Sequence, residues 1–221
     1  MRTLLTITFT TALLLVTGPS FGAGGGSMPS GGSMPSMDAR ESRTPEDQAR
    51  DQYNGGVRLV EKADKLAADA SHQKSVDKAA KAYDGALKKF TRATELNPAM
   101  YQAWNYVGYA NRKLGNYEAA LQAYDRALRL KPDYAEAIEY RGHAYLGLNR
   151  LSEAKEAYLA LYSANRKLAA QLLEGMQQWV GAHRENTGGL DVESFASWVS
   201  ERSSIAGKTA SLTREGASAA W

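Results

Sequence analysis

The 221-residue chain has no cysteine, only three histidines, and no acidic residue before Asp38. Without thiols there is no disulfide framework, no thiolate metal site and no lipoprotein anchor on a processed cysteine. His72, His143 and His183 lie far apart in sequence, and no His-Glu-x-x-His spacing occurs. A Gly-x-Ser-x-Gly elbow is absent, and acidic residues do not recur at the alternation of a calcium loop. Ala206-Gly207-Lys208-Thr209 has the ending of a phosphate-binding loop, yet the first glycine of that motif would fall at Arg202 and no strand precedes it. No enzymatic activity, resident metal or cofactor is therefore expected. The formal net charge is +3, and beyond the first 37 residues 26 Lys plus Arg face 24 Asp plus Glu. Cations so nearly balanced and so dispersed exclude a nucleic-acid footprint.

The first stretch is different in kind. Arg2 is followed by an apolar run from Leu4 to Val16 and then by Gly18-Pro19-Ser20-Phe21-Gly22-Ala23. This is the charged, apolar and small-residue order of a secretory signal peptide over residues 1–22, with Ser20 and Gly22 suiting a cut before Ala23. The run is too short to cross a bilayer comfortably, so a stable membrane anchor is not expected. The expected destination is the bacterial periplasm, with full secretion as the second choice. Residues 23–43 contain GGSMPS twice in tandem, a Gly/Ser/Met/Pro-rich composition that makes a flexible linker. Met28, Met34 and Met37 are also thioether donors suited to Cu(I), but with no His or Cys beside them they make a weak site.

Beyond the linker the chain repeats. Ala86, Ala120 and Ala154 are 34 residues apart; so are Phe90, Tyr124 and Tyr158, and so are Ala93, Ala127 and Leu161. Pro98 and Pro132 keep the same period, while Gly108 pairs with Gly142, Tyr106 with Tyr140 and Trp104 with Ile138. Small residues let helix axes approach and aromatic residues fill the spaces between, so Trp104, Tyr124 and Tyr158 read as core. Gly115-Asn116 and Gly147-Leu148-Asn149 are helix stops inside each unit. This pattern resembles the tetratricopeptide repeat, a 34-residue helix-turn-helix unit. Residues 101–134 match it best, through Trp104, Val107-Gly108, Ala120, Tyr124, Ala127 and Pro132. In residues 135–168 Ile138 stands for the aromatic and Arg166 for the closing proline, which predicts that this repeat hands over to a following helix without the usual stop.

The resemblance implies an all-α solenoid of about three antiparallel helix pairs with a C-terminal capping helix. The expected hairpins are 44–98, 101–134 and 135–166, the cap is 167–182, and the helical domain spans 44–182. The first hairpin is irregular: aligning Tyr53 and Gly55 with Tyr106 and Gly108 leaves about 19 extra residues, read as a longer turn around Ser71 to Lys78 between two long helices. Leu168, Leu172, Met176, Trp179 and Val180 form the stripe of a cap that covers the end of a stack. In residues 183–221, Val192, Phe195, Trp198 and Val199 mark a short helix that docks back on the body, and Ser203 to Trp221 reads as a mobile tail.

In tetratricopeptide proteins the first helix of each repeat lines a groove that takes a partner peptide. Carried over by register, the groove residues are Gln102, Asn105, Tyr109 and Arg112 from one repeat and Glu136, Glu139 and His143 from the next. They do not match the Lys-Asn-Asn-Lys-Arg set by which some chaperone adaptors of the family clamp a peptide carboxylate. The expected function is a non-catalytic module for a protein or peptide partner. The alternative is a structural protein of the envelope that self-associates into a homo-oligomer.

Overall fold

A computed structural model describes residues 43–69, 72–185 and 191–218, with side chains described as far as residue 208. The signal-peptide and linker expectations, and the methionines with them, lie outside the described residues apart from Arg43. Eight helices and no strand occur among the described residues: α1 Pro45–Ala68, α2 Gln73–Leu96, α3 Tyr101–Lys113, α4 Tyr117–Leu130, α5 Ala135–Gly147, α6 Leu151–Ala164, α7 Arg166–His183 and α8 Val192–Ser218. Each helix packs on the next in order, and α3, α5 and α7 also touch across the pairs. This is an all-α, tetratricopeptide-like solenoid of helical hairpins. None of the described helices is long and apolar enough to cross a membrane.

The hairpins close on glycine. A Cβ built on Gly108 would come within 2.5 Å of the Tyr124 ring, and one on Gly56 within 2.6 Å of the Phe90 ring. Tyr124 and Phe90 are each 0% exposed, so each ring on a second helix lies flat against bare backbone on the first. Burying such a ring stabilises by about 1.5–3 kcal/mol. These contacts correct the expected alignment: Gly56, not Gly55, is the counterpart of Gly108. Gly55 faces only the flexible end of the Lys89 side chain, from Cδ to Nζ.

Gly56 precedes Ala86 by 30 residues where Gly108 precedes Ala120 by 12. The surplus is not a long turn, because α1 and α2 are 24 residues each against 13 and 14 for α3 and α4. The helices themselves run on. Alanine-rich faces with buried Ala63, Ala79 and Ala82 allow this, since alanine combines high helix propensity with close approach. Thr44 starts α1 by accepting the Asp47 amide at 3.1 Å, ahead of Pro45.

At the other end, Asn165 alone separates α6 from α7; its side chain accepts the Leu168 amide at 3.2 Å. The helix that follows the lost proline thus begins after one extended residue. α7 packs on α5 and α6, with Leu172 against Gly142. α8 then docks through Val192, Phe195 and Val199, all nearly inaccessible, and through Trp198 edge-on to Tyr158 at 5.4 Å. The expected short helix and mobile tail are corrected here, because α8 runs unbroken to Ser218. Pro132 is the last proline in the chain, and the Ser, Thr and Ala of this segment do not break helices.

Gly56→Ala is expected to lower stability by about 1–3 kcal/mol through overpacking against Phe90, a fall in melting temperature of roughly 2–10 °C. Gly55→Ala is expected to be neutral or to gain up to about 1 kcal/mol from helix propensity. Thermal unfolding followed by circular dichroism distinguishes them; the opposite order would restore the Gly55 register.

Candidate functional site

Of the seven residues assigned to the groove, only Gln102, half-buried, and Glu136, exposed, reach solvent appreciably. Asn105, Tyr109, Arg112, Glu139 and His143 are between 1% and 8% exposed. These five, expected to face a groove, are instead buried in the stack. His143 Nε2 lies 2.7 Å from Glu139 Oε1, one turn apart on α5. The same imidazole fills the space that Gly175 leaves on α7, where a Cβ would come within 2.3 Å of the ring. The Arg112 guanidinium sits 5.1 Å from the centre of the Tyr109 ring and 5.4 Å from that of Tyr140. Burial would lower its pKa, but Tyr124, Tyr109 and Glu139 together push it up, so it stays charged inside the stack.

A second set ties the long hairpin to α3. Asp64 accepts the hydroxyls of Tyr83 and of Tyr109, the latter at 2.9 Å, and Lys113 Nζ stands 3.6 Å away. Burial, and after it Asp64, raises both tyrosines well above the usual range. Burial and the adjacent Arg112 lower Lys113, against Asp64, which raises it.

Beside Gln102 and Glu136, this side of the stack presents a group of tyrosines. Tyr53 on α1, Tyr101 and Tyr106 on α3, Tyr134 just before α5 and Tyr140 on α5 are all half-buried. Tyr53 meets Tyr106 at 5.6 Å between ring centres, Tyr101 meets Tyr134 at 4.9 Å, and Tyr140 meets Tyr109 at 5.1 Å. Lys131 lies over the Tyr101 ring at 5.1 Å. Burial first, then Tyr106 and Tyr101, push Tyr53 up to about 12. Burial and then Asp64, Glu61 and Glu136 raise Tyr106; burial, Glu136 and the neighbouring tyrosines raise Tyr134. Acidic groups thus add to the effect of burial at Tyr106 and Tyr134.

Sequence reasoning passed over this surface by treating aromatic residues as core, which holds for Tyr124, Tyr158 and Phe90 but not for these five. Trp104 is likewise half-buried, with its indole donating to the Pro98 carbonyl at 3.0 Å. Tyr106 and Tyr140 belong to the 34-residue period already noted, and the signal left unused was the parallel pair Tyr101 and Tyr134, 33 residues apart. Elsewhere, cavities of about 350 and 290 Å³ flank α8, one lined by Arg150, Lys155 and Phe195 and the other by Gln177, Val180 and Val199. Among the described residues no group of three or more His, Asp and Glu side chains converges as a metal set.

Comparisons with known proteins agree with the helical architecture. Tetratricopeptide-repeat family models match residues 74–135 and 135–168, so the chain carries tetratricopeptide repeats. No curated protein matches it. The NMR structure of the second tetratricopeptide domain of human RPAP3, in complex with the HSP70 peptide SGPTIEEVD, is similar at 22% identity and a TM-score of 0.47, over 59% of this chain and 97% of that one. The first such domain of Spaghetti (RPAP3), bound to the HSP90 peptide SRMEEVD, gives 18% identity and 0.38 over 69% and 95%. The crystal structure of MamA gives 22% and 0.41 over 74% and 96%.

Above the ordinary tyrosine value of 10.0 the fold is expected to lose stability. A folded-state pKa raised above the unfolded one contributes stability that is complete below the unfolded value and is lost as pH climbs through it. Tyr53, Tyr83, Tyr109, Tyr134 and Tyr140 all act in this direction. The lowered Lys113 opposes them, because its unfolded form binds the extra proton until pH passes its ordinary value of 10.5. Denaturant titrations from pH 9 to 12 should show a falling midpoint, and tyrosinate absorbance should rise partly in step with unfolding. Tyrosinate formed wholly in the folded state would contradict these burials.

Proposed function

We propose that the protein is a non-catalytic interaction module that holds a partner peptide against the tyrosine surface of α1, α3 and α5. The observation that carries this reading is the run of five half-buried tyrosines, from Tyr53 to Tyr140, along one side of the repeats. Tyrosine offers a large apolar ring at low entropic cost together with a polar tip, and it is enriched where proteins hold partners. Gln102 and Glu136 border this surface and supply amide and carboxylate contacts. Arg112, Glu139 and His143 act beneath it by fixing α3 against α5 and α7.

The place of action we infer is outside the cytoplasm, in the periplasm before full secretion, from the charged, apolar and small-residue order of residues 1–22. N-terminal sequencing of the protein recovered from its producing cell should begin at or beside Ala23, and an intact Met1 would remove this part of the reading.

Peptides selected by display against the purified chain should shift the amide resonances of Tyr101, Tyr106 and Tyr134. Truncation of one central aromatic anchor typically costs 2 kcal/mol or more, so Tyr134→Ala is expected to weaken them at least about tenfold. Selected peptides that bind only α8 or the outer side of α2 would refute the assignment.

A further inference from the structure

Three features of the tyrosine surface select among peptide chemistries, and this step rests on the module reading above. The first is ring geometry. Tyr53 and Tyr106 cross at 74° and Tyr101 and Tyr134 at 82°, so a ring face stands beside a ring edge at each pair. Such a corner offers a ring face and a ring edge together to a compact, flat aliphatic group.

Charge is the second. The cations on this side are already committed: Arg112 lies between Tyr109 and Tyr140, Lys113 faces Asp64, and Lys131 covers Tyr101. Glu61, Asp64 and Glu136 raise the tyrosines around them. An acidic tail would meet these carboxylates, with Arg112, Lys113 and Lys131 already engaged.

Hydrogen bonding is the third. The hydroxyls of Tyr53, Tyr106 and Tyr134 keep their protons through the neutral range, which makes them donors as well as acceptors. A segment whose backbone has carbonyls to offer and few N–H groups to satisfy complements a row of donors. Polyproline II is that backbone, with no internal hydrogen bonds and a conformation fixed before binding. Aromatic-lined surfaces that take such segments rely on the same combination of ring faces and hydroxyls.

We propose that this face binds an uncharged, proline-rich segment in the polyproline II conformation, with pyrrolidine rings seated in the crossed tyrosine pairs and backbone carbonyls accepting from the hydroxyls. Decaproline is the probe, titrated into the full chain by calorimetry and by NMR. The controls are a Gly-Ser decamer and a decamer ending in four acidic residues. Decaproline should bind saturably, shift Tyr53, Tyr101, Tyr106 and Tyr134, and keep its affinity within about twofold between low salt and roughly 0.5 M salt, because no ion pair is involved. Tyr101→Ala should weaken it at least about tenfold. Tyr101→Phe, which keeps the ring and the fold, should lose roughly threefold to tenfold with the hydroxyl. Stronger binding of the acidic decamer, or equal binding of the Gly-Ser decamer, would overturn the proposal. If decaproline fails while display-selected peptides still bind at these tyrosines, the proline assignment falls and the module reading stands. If nothing binds at this face, both fall.

Discussion

An aromatic ring laid against the bare Cα of a glycine is the contact on which the rest of the molecule depends. Gly108 faces Tyr124 and Gly56 faces Phe90, each at a distance that excludes even a methyl group. Axes brought this close bury whole rings, and the alanines around them, Ala86, Ala120 and Ala154 among others, disappear from solvent entirely. Interiors packed to this density tolerate little change in volume. The hairpin geometry is thereby fixed, and with it the angle at which one hairpin meets the next. Gly142 and Gly175 carry the principle across hairpins, with Leu172 and His143 as the inserted groups.

This explains how far the sequence could be read. The 34-residue period was legible because glycine, alanine and ring must recur together wherever two helices touch so closely, and few other arrangements demand all three. The register of the first hairpin was not, since Gly55 and Gly56 are adjacent and only the ring of Phe90 decides between them. Burial of Arg112, Glu139 and His143 was illegible for another reason. Their positions belong to the exposed side of an isolated repeat, and their cover comes from elsewhere: Tyr140 from α5, Gly175 from α7. A residue's surroundings in a stacked fold depend on the neighbouring unit, and register within one unit does not report them. The α8 helix escaped because serine and threonine mark tails and helices alike, and nothing local separates the two.

The polar residues beneath the tyrosines have a role that apolar replacements could not fill. Arg112 stays charged at 7% exposure, between two rings and beside Glu139, and a buried charge is costly to misplace. Sliding α3 against α5 by one turn would strand it without those partners. Asp64 does the same between α1 and α3 by accepting Tyr83 and Tyr109 together. Stacks of near-identical hairpins are open to such slippage, because an alanine face fits its neighbour in more than one register. Directional contacts penalise every register but one.

That division of labour is the physical basis of the recognition surface proposed above. Five of the seven residues assigned to a groove by register are drawn inward here, leaving the outer edge to Tyr53, Tyr101, Tyr106, Tyr134 and Tyr140 with Gln102 and Glu136 beside them. A surface assembled from rings on three consecutive hairpins exists only while those hairpins keep their spacing, so the polar network below it and the glycine contacts behind it also set its shape. On the proposal above, rings that each carry one protonated hydroxyl select a ligand by shape and by carbonyl acceptance. Of these rings Tyr140 also joins the network, beside Glu139, as Tyr83 and Tyr109 do beneath the surface through Asp64. The outer ones are raised mainly by burial among themselves. Tyr53 and Tyr106 also pack on Phe90, at 5.8 and 4.8 Å between ring centres, so the hairpin core holds these rings in place, and such preorganisation is what the proposed recognition surface requires.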